Sequence, residues 1–140
     1  DQGWRYHMSE IMAAIGRVQL SRLEKEFRAI RIQLLEQYRK RLESVAGIEL
    51  FSTHPGTLAF MFPIKVLNGK RDRLRDVLGQ EQIQVGIHYK PNHLLTKYRV
   101  PGLSLPVSEA LYGELLTLPL HYELTVADID RICDVVIKTV

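Results

Sequence analysis

The sequence predicts an α+β fold: a long N-terminal linking helix, then a small three- to four-stranded, mostly antiparallel sheet with helices packed on one face. Three observations predict it. Residues 9–46 hold no proline and a single glycine, Gly16, and their apolar residues recur at three- and four-residue steps, the helical period. Beyond Gly47, short β-branched or aromatic runs are interspersed with amphipathic stretches, in the order helix, strands, helix, strand, loop, helix, helix. The 140 residues, 46% hydrophobic and 25% charged, suffice for one domain with a real core.

Ser9 opens the first helix as its N-cap. The apolar series then runs Ile11, Ala14, Ile15, Val18, Leu23, Phe27, Ile30, Leu34, Tyr38, Leu42, Val45. A straight helix of this length spans roughly 57 Å, whereas a compact domain of this size has a radius of gyration of about 14 Å. The rest of the chain is therefore too small to cover it. The five-residue step from Val18 to Leu23 rotates the apolar face by more than about 100°, as where a helix passes from one neighbour to another. Before Val18 the helix is apolar nearly all round. After Leu20 its surface fills with Arg22, Glu24, Lys25, Glu26, Arg28 and further charges. The N-terminal third is thus expected to be covered by something outside this chain; the alternative is a kinked helix or hairpin folding back locally.

The remaining elements are shorter. Residues 48–51 form a strand-like run, and the His54-Pro55-Gly56 region a loop. Residues 58–66 are the best strand, with Pro63 implying an edge position or a bulge. Asn68-Gly69 is a turn, and residues 71–78 carry Leu74, Val77 and Leu78 at helical spacing. Residues 83–89 alternate apolar and polar like a strand, then enter a long loop with Pro91, Pro101, Gly102 and Pro106. A helix is expected over 107–116, a short extended piece over 118–120, and a closing helix over 125–140. That last helix has Thr125 as N-cap and Asp128 as its capping-box partner.

Composition excludes several function classes. No run of 18 apolar residues suits a membrane span, and no signal-peptide pattern opens the chain, so the expected location is cytoplasmic. The net charge of +3 is mild, and basic residues interleave with acidic ones along the long helix, which argues against a nucleic-acid stripe. The one cysteine, Cys133, lies in an apolar helical pattern and reads as a core residue. A first residue other than methionine, before a helix lacking a partner, points to a piece of a longer protein.

Three blocks carry a resemblance. The first is Gly3-Trp4-Arg5-Tyr6-His7-Met8-Ser9-Glu10, followed by Ala13-Ala14, Gly16 and Gln19-Leu20. The second is the run from Ile83 through His88-Tyr89-Lys90-Pro91-Asn92-His93. The third is Leu118-Pro119-Leu120, with Leu124-Thr125 after it. In this order they resemble the C-terminal part of the DegT/StrS-type nucleotide-sugar aminotransferases, pyridoxal-phosphate (PLP) enzymes of the aspartate-aminotransferase fold. By that resemblance, residues 1–46 are an entry segment and interdomain helix, and residues 47–140 are a small C-terminal domain. The large cofactor-binding domain would lie upstream. The implied reaction moves an amino group, with glutamate as the usual donor, to a keto-sugar nucleotide in a homodimer.

The same resemblance sorts the candidate residues. Transamination needs an imine-forming lysine, and none of Lys25, Lys40, Lys65, Lys70, Lys90, Lys97 and Lys138 stands in a family-like S-x-x-x-K setting. No catalytic residue is therefore assigned in this chain, and none of the cofactor is expected to bind it alone. Arg5 replaces a family asparagine that approaches the cofactor phosphate of the neighbouring subunit, and an arginine also suits a phosphate. Tyr6 and His7 stand beside it, His7 in place of a family arginine. In the competing reading Trp4, Tyr6 and Met8 form a hydrophobic staple with Arg5 and His7 exposed. His88, Tyr89 and His93 would face the sugar-nucleotide pocket, where imidazole and phenol groups suit hydroxyls or a pyrophosphate. Alternatively, His88 and Tyr89 end a strand and His93 is a loop residue. No metal site is expected, because the His88–His93 spacing matches no helical pair and no cysteine or carboxylate lies beside it. Two rival functions stand: a free-standing interaction module dimerising through the long helix, and a relative using the fold for dehydration or regulation.

Overall fold

The computed structural model describes residues 7–54 and 57–140. Arg5, Tyr6 and the Pro55-Gly56 pair lie outside the described residues. The long helix is present in two α-helical stretches, α1 (Glu10–Arg22) and α2 (Arg28–Leu42). The Ser9 hydroxyl caps α1 by accepting from the Met12 amide. Between the two stretches lies a π-helical turn, Leu23–Phe27, in which the Arg28 amide donates to the Leu23 carbonyl five residues back. The five-residue apolar step from Val18 ends at Leu23, the residue at which the π turn begins. It is also where packing begins. α1 has no buried residue, and Ile11 and Val18 remain 74% and 57% exposed, whereas Phe27, Leu34, Tyr38 and Leu42 are buried. Fully burying a leucine is worth about 1.5–3 kcal/mol, a contribution that α2 receives and α1 does not.

The sheet has three antiparallel strands in the order β1 (Ile48–Leu50), β2 (Phe62–Val66), β3 (Leu115–Leu118). Phe62, Ile64 and Val66 alternate onto one face of β2 and meet Leu34, Tyr38 and Leu42 from α2 in the core. Leu74 and Leu78 from α3 (Arg71–Gln80) join them, with Ile129, Ile132, Cys133 and Val136 from α5 (Val126–Thr139). The Tyr38 ring stacks on Phe62 with centroids 4.5 Å apart, and its hydroxyl donates to the Pro119 carbonyl at 2.8 Å. α2 and α5 are tied at their rims: Gln37 and Arg41 both donate to the Asp130 carboxylate, and Arg41 also reaches Asp134. Thr125 and Asp128 form the expected capping box. Burial pushes the Cys133 thiol up to about 12, so it is an inert core group.

Three expectations need correction. First, Pro63 lies on the central strand. Its register partner is Thr117, whose N–H and C=O are both spent on Gly86 on the far side, so no ladder bond from Pro63 to β3 is due. On the other side β1 has ended at Leu50, and the next carbonyl, that of Phe51, accepts from Arg39 Nη2 at 2.8 Å. The missing proline N–H is therefore lost where no partner awaits it. Second, the alternating run 83–89 contributes only one bridge, Gly86 with Thr117. Third, the helix expected over 107–116 is α4 (Pro106–Glu114), and the chain turns straight into β3 at Leu115. The buried Arg71 guanidinium makes this abrupt change possible by donating to the Tyr112 and Leu115 carbonyls at the helix end.

Candidate functional site

The Gly86–Thr117 bridge positions the His88 side chain. Gly86 donates to the Thr117 carbonyl at 3.1 Å and accepts from its amide at 2.7 Å, pinning the segment to the free edge of β3. The His88 ring folds back over Gly86 so closely that a methyl group there would overlap it. Glycine is needed here for close approach rather than for a special backbone angle. His88 contacts Tyr89 edge to face at 4.8 Å between centroids, and the Tyr89 ring itself is 73% exposed.

His88 and Tyr89 stand between two clefts. One, of about 420 Å³, is lined among others by Phe60, Met61, Gln84 and Thr117; the other, of about 240 Å³, by Pro91, Ser108, Leu111 and Tyr112. Among the described residues, no acidic side chain, lysine or arginine lines either one. Of the residues that line the first, His88 and Thr117 each bury a polar atom, Nδ1 and Oγ1, that has no hydrogen-bond partner.

His93 is placed elsewhere. It is buried under the 91–105 loop, whose backbone makes two short 3-10 turns, Asn92–Leu94 and Thr96–Tyr98. Its Nε2 meets Glu109 Oε1 at 2.9 Å, and the same oxygen accepts from the Leu105 amide at 2.8 Å and the Ser104 hydroxyl at 3.3 Å. The Leu105 amide and then the His93 ring hold the Glu109 carboxyl below its ordinary range. His93 lines a third cleft, of about 520 Å³, that shares no lining residue with the other two. His7 is exposed ahead of α1 and lines none of the three. The structure thus keeps His88 with Tyr89 and separates them from His93 and His7. Thr117, Gly86 and Glu109 were not singled out as site residues from sequence. The only local signal for Gly86 was a glycine inside an alternating run.

The lysines do not fit a PLP site by themselves. Lys25, Lys40, Lys90, Lys97 and Lys138 are exposed, and Lys65 is paired with Glu49 at 2.8 Å and Glu114 at 3.7 Å. Lys70 precedes α3 and lines neither His88 cleft. Among the described residues no group of histidine, cysteine and carboxylate side chains is arranged to hold a metal ion, and no helix is long and apolar enough to cross a membrane.

Residues 2–137 match the DegT/DnrJ/EryC1/StrS aminotransferase family. Over 125 residues the chain is 37% identical to the erythromycin biosynthesis sensory transduction protein EryC1 of Saccharopolyspora erythraea, a match covering 85% of this chain and 33% of that protein. The aminotransferase TlmJ from Streptoalloteichus hindustanus superposes with a TM-score of 0.88 at 28% identity, covering 98% of this chain and 38% of its own. The putative sugar aminotransferase Spr1654 from Streptococcus pneumoniae, in its PLP-form, superposes with a TM-score of 0.86 at 25% identity, covering 95% and 36%. The chain spans about a third of the length of these relatives.

Proposed function

Because the chain belongs to the DegT/DnrJ/EryC1/StrS aminotransferase family, we propose that it is the linking helix (residues 1–46) and small domain (residues 47–140) of a PLP-dependent sugar aminotransferase. The whole enzyme would move an amino group from glutamate to a keto-sugar nucleotide in the cytoplasm. The observation that carries this reading is the match over residues 2–137, supported by the superposition on TlmJ along 98% of the chain. The cofactor in this proposal is held by residues outside this chain. In the proposal Arg5, with Tyr6 and His7 beside it, reaches the cofactor phosphate or substrate of a second subunit. His88 and Tyr89 present hydrogen-bonding groups to the substrate from the edge of β3. His93 acts on the same substrate by shaping the 91–105 loop. The uncovered face of α1 packs on the large domain and on the partner subunit of a homodimer.

The test uses the intact protein, including the residues upstream of Asp1. With PLP it should show imine absorbance, and with glutamate and a keto-sugar nucleotide it should transfer the amino group. The 140-residue chain alone should show neither. An intact protein that binds PLP and transfers nothing to any keto-sugar nucleotide would overturn the substrate assignment. Absence of any PLP adduct in the intact protein would overturn the enzyme reading. One observation favours a second function, an interaction module dimerising through its helix: Ile11, Met12, Ile15 and Val18 are all exposed. A start codon directly before Asp1 would favour that module.

A further inference from the structure

We propose that Arg71, the first residue of α3, is a positioning residue: it fixes the part of the smaller His88–Tyr89 cleft that Tyr112 and Leu115 form, and through it the pose of the substrate. Arg71 lines neither His88 cleft itself. It is only 7% exposed, and its Nη1 donates to the Tyr112 carbonyl at 3.0 Å and to the Leu115 carbonyl at 3.2 Å. The guanidinium carbon also lies 5.6 Å from the centroid of the Tyr112 ring, within cation–π range. Tyr112 and Leu115 both line the smaller cleft, together with His88 and Tyr89. One buried cation thus holds two main-chain groups and one ring of the same wall.

A helix end does not need a buried cation. Its last carbonyls can be met by water or by a tightened final turn, whereas taking a guanidinium out of water is costly. An aligned ion pair does not compensate Arg71 either: Asp72 Oδ1 is 3.0 Å from its Nε, which makes no hydrogen bond, and the Asp72 side chain is 63% exposed. The guanidinium is directed instead at the junction where α4 gives way to β3. α3 is anchored in the core by Leu74 and Leu78, whereas α4 has no buried residue. α4 alone therefore gives Tyr112 little support, and Arg71 ties it to the rigid part of the domain. A misplacement of about 1 Å near a reacting substrate can cost about 100-fold, so this anchor bears on the substrate without meeting it. The inference rests on the reading that His88 and Tyr89 face the substrate.

The test uses the intact protein, with glutamate and a keto-sugar nucleotide as substrates, below the melting point of every variant. Arg71→Lys keeps the charge and loses the planar fork. Tyr112→Ala removes the ring and leaves both carbonyls in place. Each should raise KM for the keto-sugar nucleotide about tenfold, a change of about 1.4 kcal/mol in binding, with kcat and the KM for glutamate as in the wild type. The double variant should rise little further than either single one, because both changes act on the same wall. An unchanged KM in either single variant, an equal loss toward both substrates, or fully additive effects would overturn the proposal. A second readout needs no turnover. In intact protein labelled with fluorotyrosine, phenylalanine variants assign the signals of Tyr38, Tyr89 and Tyr112. Arg71→Lys should shift those of Tyr89 and Tyr112 and leave that of Tyr38, in the core, unmoved. A static Tyr89 signal, or a Tyr38 signal displaced as far, sinks the positioning role whatever the protein transfers. The expected shifts in a protein without transfer activity would support the anchor and count against the aminotransferase reading alone.

Discussion

His93 and Glu109 meet at 2.9 Å, and through this contact the buried imidazole is fastened to the first turns of α4. The same carboxylate oxygen accepts from the Leu105 amide immediately before the helix. One acidic side chain therefore satisfies an exposed helix-start amide and anchors the loop that carries His93.

Glu109→Gln isolates the charge in this arrangement, because a glutamine oxygen still accepts from Leu105. The Glu109 carboxyl titrates lower in the folded chain than in the unfolded one. Its contribution to stability is therefore fully present above the unfolded value of about 4.3 and is lost as pH falls through the lowered folded value. Urea unfolding should find the variant less stable at pH 7, with the gap closing as the solution is acidified below that window. A gap of the same size at pH 7 and pH 3 would show that the charge contributes nothing.

Tyr38→Phe removes the hydroxyl that donates to the Pro119 carbonyl and keeps the ring stacked on Phe62. The loss should be about 1 kcal/mol, read as a lower urea midpoint at unchanged slope. Tyr38→Ala removes the ring as well and should cost about 3–5 kcal/mol, as other aromatic truncations in cores do. A phenylalanine variant as stable as the wild type would mean that the bond to Pro119 adds nothing.

Ile15→Glu addresses the uncovered helix. Ile15 is 53% exposed on α1, which buries nothing. In the 140-residue chain at high micromolar concentration, sedimentation should show self-association of the wild type and a shift toward monomer in the variant, with melting of the body unchanged. A strictly monomeric wild type would count against an associating face.

Features set by neighbouring residues were legible in the sequence. Ser9 and Thr125 cap their helices because the hydroxyl meets an amide only three residues away. The bare face of α1 was also legible, since Ile11, Ile15 and Val18 recur with nothing in the chain long enough to cover them. Features decided across the chain were not. Residues 115–118 continue a helix-like apolar series, and all four are buried, so no alternation marks them as a strand. Residues 83–89 do alternate, yet only Gly86 finds a partner, Thr117, 31 positions away. Pro63 pointed to a sheet edge, and only the register reveals that its absent N–H faces the end of β1. Of the candidate site, the His88-Tyr89 pair could be found by motif, whereas Thr117 enters it through pairing alone. Glu109 reaches His93 across a 16-residue separation that carries no local pattern.

The π turn at Leu23–Phe27 absorbs one residue without changing which way the helix faces. It winds an extra residue into about one turn, where an α-helix takes about 3.6, so deleting one residue there would restore ordinary winding and leave the stripe of Ile11, Ile15 and Val18 pointing much as before. The same deletion between Val18 and the turn, where each residue advances the surface by about 100°, would swing that stripe away from whatever lies against α1. The turn is thus the one place along the long helix where a change of length leaves the direction of its bare face intact.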